Sequence, residues 1–167
     1  MKSTLLQKKL AAYSAMATAI CAASNADAQI VYTDVNPDVT VNTGDTYDVD
    51  LNNDGIVDYK VHAGKNNANT WKSVEIYSSK SSNTNVVAAY LGAFSYYYAN
   101  LFSAGDPIDQ AATFYPAYPF VTLNFVYSTG SVQGAWHGAV DGYAGLRFNI
   151  NGEQHYGWIR LDVAEDA

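Results

Sequence analysis

The sequence predicts an all-β chain, an antiparallel β-sandwich of jelly-roll type. Three observations predict it. Apolar and polar residues alternate over short stretches such as "TYDVDL" (46–51), the period of a half-buried strand. Turn residues punctuate the chain at a spacing of roughly ten residues, as in sandwiches. Beyond the N-terminal region no stretch carries a sustained helical repeat.

The predicted strands follow in order. "IVYTDV" (30–35) is β-branched and aromatic and stops at Asn36-Pro37-Asp38. In "TYDVDL", Tyr47, Val49 and Leu51 point one way, and Asp48 and Asp50 the other. "IVDYKVH" (56–62), "WKSVEIYS" (71–78) and "VVAAYLGAF" (86–94) continue the series, separated by polar loops. The stretch from Ser95 to Pro119 is irregular, with a short helical turn expected near Asp109–Thr113 between glycine and proline breaks. "FVTLNFVYS" (120–128) is a strong strand, and "YAGLRFNI", Asn151-Gly152, "EQHYGWIRLDV" is the strongest hairpin signal in the chain.

The N-terminus reads as a signal peptide, residues 1–28. A basic leader (Lys2, Lys8, Lys9) precedes the 14-residue apolar run "LAAYSAMATAICAA", and Ala26-Asp27-Ala28 offers an A-x-A cleavage site. Cleavage after Ala28 leaves a single domain, 29–167, that is secreted or displayed on the cell surface, with no later segment apolar enough to span a membrane. The only cysteine, Cys21, departs with the leader, so the mature chain is held without disulfides. The leader also removes three lysines and Asp27, which takes the basic residues from 9 to 6, the acidic ones from 16 to 15 and the net charge to −9. That balance argues against nucleic acid and anionic lipid as partners.

The densest chemistry lies in "DVDLNNDGIVDY" (48–59). Asp50, Asn52, Asp54 and Asp58 fall at positions 1, 3, 5 and 9 of a loop with Gly55 at position 6 and the Ile56 carbonyl at position 7. Calcium loops need that layout, because alternate side chains in a tight curl converge and glycine permits the turn. Position 12 is Val61 and not a bidentate glutamate, so this is no EF-hand; Asp48, Asp45 or Asp34 would complete the shell. The competing reading is a plain hairpin turn, since Asn52-Asn53-Asp54-Gly55 also tolerates left-handed angles.

Other constellations are weaker. Tyr156, Trp158 and Arg160 share one strand face and would stack a sugar ring and bond its hydroxyls; alternatively Trp158 anchors the core and Arg160 pairs with an acid. Gly157 beside them predicts a ring packed closely over the strand. Thirteen tyrosines remain after cleavage, read as edge residues with the ring inward or as a sugar platform. His62, His137 and His155 have no zinc spacing. A glycoside hydrolase needs two close carboxylates, and Glu75, Glu153 and Glu165 form no paired pattern.

Two segments, "DLNNDGIVDY" and "YAGLRFNINGEQHYGWIRLDV" with its HYGWIRL strand, resemble a largely uncharacterised secreted β-sandwich module of exported Gram-negative proteins. Such proteins often carry exosortase-type or type IX secretion sorting tags. The resemblance implies a β-sandwich and a surface or extracellular setting. The chain stops at "LDVAEDA" with no tag, so it is expected either to be a fragment or to be released untethered. The expected function is a non-catalytic, calcium-stabilised module with a structural or adhesive role, its partners being extracellular polysaccharide or other surface proteins. The alternatives are a carbohydrate-binding module and, behind it, a jelly-roll hydrolase.

Overall fold

A computed structural model describes residues 33–78, 84–117 and 120–166. The chain divides into two compact units, Met1–Val39 and Thr40–Ala167. In the first, residues 33–39 are exposed and form no strand, so the predicted strand 30–35 is absent over its described part; Ile30–Tyr32 and the signal-peptide region lie outside the described residues.

The second unit is all β. Its strands are β1 (Thr46–Val49), β2 (Tyr59–Lys65), β3 (Trp71–Ser78), β4 (Val86–Leu91), β5 (Tyr97–Ala99), β6 (Phe114–Pro116), β7 (Val121–Tyr127), β8 (Val132–Gln133), β9 (Gly142–Ile150) and β10 (Glu153–Leu161). They form one hydrogen-bonded path, β1-β2-β3-β7-β5-β4-β9-β10, with β6 on β4 and β8 on β7. Pairing is antiparallel except where β5 meets β7 in parallel at Tyr98↔Thr122, so the sheet is mixed where a purely antiparallel one was expected. Among the described residues, no helix is long and apolar enough to cross a membrane.

The path folds back on itself into a sandwich-like body. Tyr59 of β2 donates its hydroxyl to the carbonyls of Val86 (3.0 Å) on β4 and Arg147 (2.9 Å) on β9, strands far from β2 along the path. One core cluster joins Tyr59, Val61 and Ile76 from one layer to Val87, Leu146 and Phe148 from the other. Trp136 is wholly buried in it and donates its indole N–H to the Ala99 carbonyl at 3.2 Å. Strand β4 serves both layers: Val86–Ala88 pair with β6, Val86 and Val87 also with β9, and Ala89–Leu91 with β5.

Strand β3 occupies the residues predicted for it, 71–78. Strand β4 stops at Leu91, short of the predicted Phe94, and Gly92 lies under the Tyr98 ring: a Cβ there would sit 2.4 Å from Tyr98 Cδ2. A 3-10 turn at Ala93–Ser95 follows, with Phe94 and Ser95 at φ of 58° and 63°. The helical turn expected near Asp109–Thr113 is instead a single turn, closed by Ala112 N–H on the Asp109 carbonyl at 3.2 Å. The Asn151-Gly152 hairpin forms with both residues left-handed, φ 52° and 90°, as a type I′ turn requires.

Candidate functional site

The acidic stretch is a wide loop. The last β1–β2 pair is Val49↔Tyr59, so the nine residues Asp50–Asp58 close the hairpin and the two-residue Asp-Gly turn does not form. Side-chain oxygens hold the loop open. Asp50 Oδ2 accepts Gly55 N–H at 2.8 Å, Asn52 Oδ1 accepts Asp54 N–H at 3.2 Å, and Asp54 Oδ1 accepts Ile56 N–H at 2.7 Å. The last two are successive Asx turns, which curl the chain. Asp58 stands at the loop's base, 2% exposed, with Oδ2 accepting Leu51 N–H at 3.1 Å. Its carbonyl accepts the Asn85 amide at 3.1 Å, which ties the loop to the segment before β4.

One oxygen is left over. Asp50 Oδ1 is buried and has no hydrogen-bond partner. A buried carboxylate oxygen without a partner is costly, since it has lost water and gained nothing. Asp54 Oδ2 faces the Asn52 amide Nδ2 at 3.1 Å, a weak positive end where a cation would serve better. Among the described residues, no three His, Cys, Asp or Glu side chains gather at metal-holding spacing. A calcium ion here would therefore use Asp50 and Asp54 with neutral oxygens, the Asn52 amide and the Ile56 carbonyl, and water for the rest. Asp58 contributes to the curl through Leu51. Asp45 accepts from Asn42 and Asp48 is paired with Lys60, so neither is brought to the loop as an added ligand by the contacts observed.

On β10, Tyr156, Trp158 and Arg160 do share a face, opposite Arg147, Gly145 and Tyr143 of β9. Trp158 is half-buried and lies outside the core cluster; its ring meets Tyr143 edge-on, centroids 5.0 Å apart. Tyr156 leans on Phe114, 5.7 Å between centroids, and Arg147 covers the same ring at 5.0 Å. Arg160 reaches Asp141 at 3.9 Å. The Phe148 ring packs against Gly157, 3.1 Å from where a Cβ would be, as the glycine predicted.

A third place was not read from the sequence. The outward face of β1–β2–β3 has a depression of about 260 Å³ lined by Thr46, Lys60, His62 and Tyr77. Beside it Glu75 is 6% exposed, its oxygens accepting Ser73 Oγ (2.9 Å) and Tyr77 O–H (2.6 Å). Burial, and then this bond to Glu75, push the Tyr77 phenol well above its ordinary range. Thr46 Oγ1 and His62 Nδ1 are 2.9 Å apart, and Lys60 Nζ meets Asp48 at 2.6 Å. Alternation along β2 and β3 already placed Lys60 with His62 and Glu75 with Tyr77. The pairing of His62 with Glu75 needed the register.

Compared with protein-family profiles, with curated proteins and with solved structures, the chain matches none.

Proposed function

We propose that the chain is a secreted, non-catalytic β-sandwich module with a structural or adhesive role at the cell surface or outside it, its first hairpin held by calcium. The observation that carries the calcium reading is the buried, unpartnered Asp50 Oδ1 inside the Asp50–Asp58 loop. A hard cation wants six to eight oxygens, and the loop has Asp50, Asn52, Asp54 and the Ile56 carbonyl to contribute, with Asp58 at its base. Bound there, the ion would satisfy the orphaned oxygen and offset the repulsion among the aspartates. The leader sequence and the resemblance to exported modules support the setting. Against a hydrolase, Glu75 is engaged at both oxygens by neutral donors, and Glu153 and Glu165 are exposed.

The test is a thermal melt of wild type, Asp50→Ala and Asp54→Ala in EDTA and in about 1 mM calcium. With a dissociation constant of about 0.1 mM, of the order seen in extracellular modules, linkage contributes about 1.4 kcal/mol. For a domain of this size that raises wild-type Tm by about 5 °C. Both variants should lose the calcium-dependent rise, with EDTA curves close to wild type, because each also removes a repelling charge. Magnesium should substitute poorly, since it demands a tighter octahedron. Superimposable wild-type curves in the two buffers would reject the calcium reading.

A further inference from the structure

We propose that the outward face of β1, β2, β3 and β7 is a binding platform for a neutral polysaccharide. The proposal goes beyond the calcium reading and does not rest on it. Register places the face: Thr46 pairs with His62, His62 with Glu75, and Glu75 with Thr122. The other side of these strands supplies Val61, Val74, Ile76 and Val121 to the core. The outward side buries Ser73, Glu75 and Thr122 and carries over them a continuous row of rings. His62 meets Tyr77 at 5.9 Å between centroids, Tyr77 meets Phe120 at 5.6 Å, and Phe120 meets Tyr96 at 6.1 Å. His62, Tyr77 and Phe120 are half-buried, and Tyr96 is 48% exposed. The row crosses the strands, and its steps are comparable to the advance of one pyranose unit along an extended glycan.

The chemistry beside the rings selects among occupants. Thr46, His62, Tyr77 and Lys60 line the depression with hydrogen-bonding groups. The charges are already answered, Lys60 by Asp48 and Glu75 by Ser73 and Tyr77. An anionic polymer would meet a neutralised surface on a chain of net charge −7, and nucleic acid or anionic lipid still less favour. A protein partner calls for a dry central patch of anchors, whereas here rings and hydroxyl-bonding groups interleave. An added peptide strand calls for a sheet edge, and this is a face. What fits both halves is a sugar chain, with apolar C–H faces for the rings and hydroxyls for the polar row.

The experiment is native affinity electrophoresis of the folded chain in gels containing hydroxyethylcellulose, a mixed-linkage β-glucan, galactomannan or polygalacturonate. Retardation by at least one neutral polymer is expected. Tyr96→Ala, at an exposed position, should keep the wild-type melt and weaken the apparent affinity by about tenfold, the loss typical of an aromatic anchor. His62→Ala should weaken it similarly. Retardation by no neutral polymer, or by polygalacturonate alone, would overturn the proposal. So would binding that survives Tyr96→Ala and His62→Ala but is lost in Trp158→Ala. The calcium melts are read separately, so failure of one proposal leaves the other standing.

Discussion

Tyr59 shows how much one side chain can decide. It is fully buried, and its single hydroxyl joins two strands of the opposite layer. Burial, with the nearby Asp58 charge second, holds its phenol far above the ordinary value of about 10. The sign of the pH effect follows. Below pH 10 the phenol is protonated in folded and unfolded chains alike, and its contribution is intact. Above that, the unfolded tyrosine releases its proton while the folded one keeps it, so stability falls by up to about 1.4 kcal/mol per pH unit. Tyr77 and Tyr98 are shifted the same way, burial first in each, and add to the alkaline decline. Tyr59→Phe should cost about 1 to 2 kcal/mol at pH 8, because two buried carbonyls lose their donor. The same variant should show a shallower loss of stability between pH 10 and 12. Urea titrations at pH 8, 10 and 11 check both, and parallel decline in the two proteins would refute the titration argument.

At the scale of elements, the β9–β10 hairpin was the most legible part of the chain, since Asn151-Gly152 and the flanking alternation are local signals. Its turn depends on left-handed backbone, with Gly152 at φ 90° and open space around it. Gly152→Val meets no clash but forces a β-branched residue into that region, at about 1 to 2 kcal/mol. A lowered Tm with an unchanged circular-dichroism spectrum is the expected outcome. The acidic loop was legible as chemistry but not as geometry: Asp-Gly reads as a tight turn, and the Asx bonds from Asn52 and Asp54 that widen it depend on where their side chains point. Strands β5 and β6 were lost in the stretch read as irregular, because three residues are too few to show a period. The ring row was not legible either. It needs β7 beside β3, strands more than forty residues apart, and the register shift between Val74 and Glu75 that sets Thr122 opposite Glu75.

For the molecule as a whole, the sequence implies a journey as well as a shape. A basic leader, a 14-residue apolar run and Ala26-Asp27-Ala28 predict processing between Ala28 and Gln29. Expressed in a Gram-negative host, the chain should leave the cytoplasm as a species beginning at Gln29, measurable by intact mass of the periplasmic or medium fraction. A mature species still carrying Met1 would reject the leader assignment. Such processing would also strip three of the nine basic residues and leave the product more acidic than the precursor, which disfavours contact with other acidic surfaces.

Strand β4 has a consequence for how the body comes apart. Its first half pairs with β6 and β9 and its second with β5, so neither layer can peel off without breaking bonds that belong to the other. Local opening should then be confined to the margins. In hydrogen–deuterium exchange, the amides of Val87 and Ala89 should open only with the whole unit, at the free energy of global unfolding, while those of β1 and the Asp50–Asp58 loop exchange orders of magnitude sooner. Earlier exchange at β4 than at β2 and β3 would mean that the layers are separate folding units joined by a hinge.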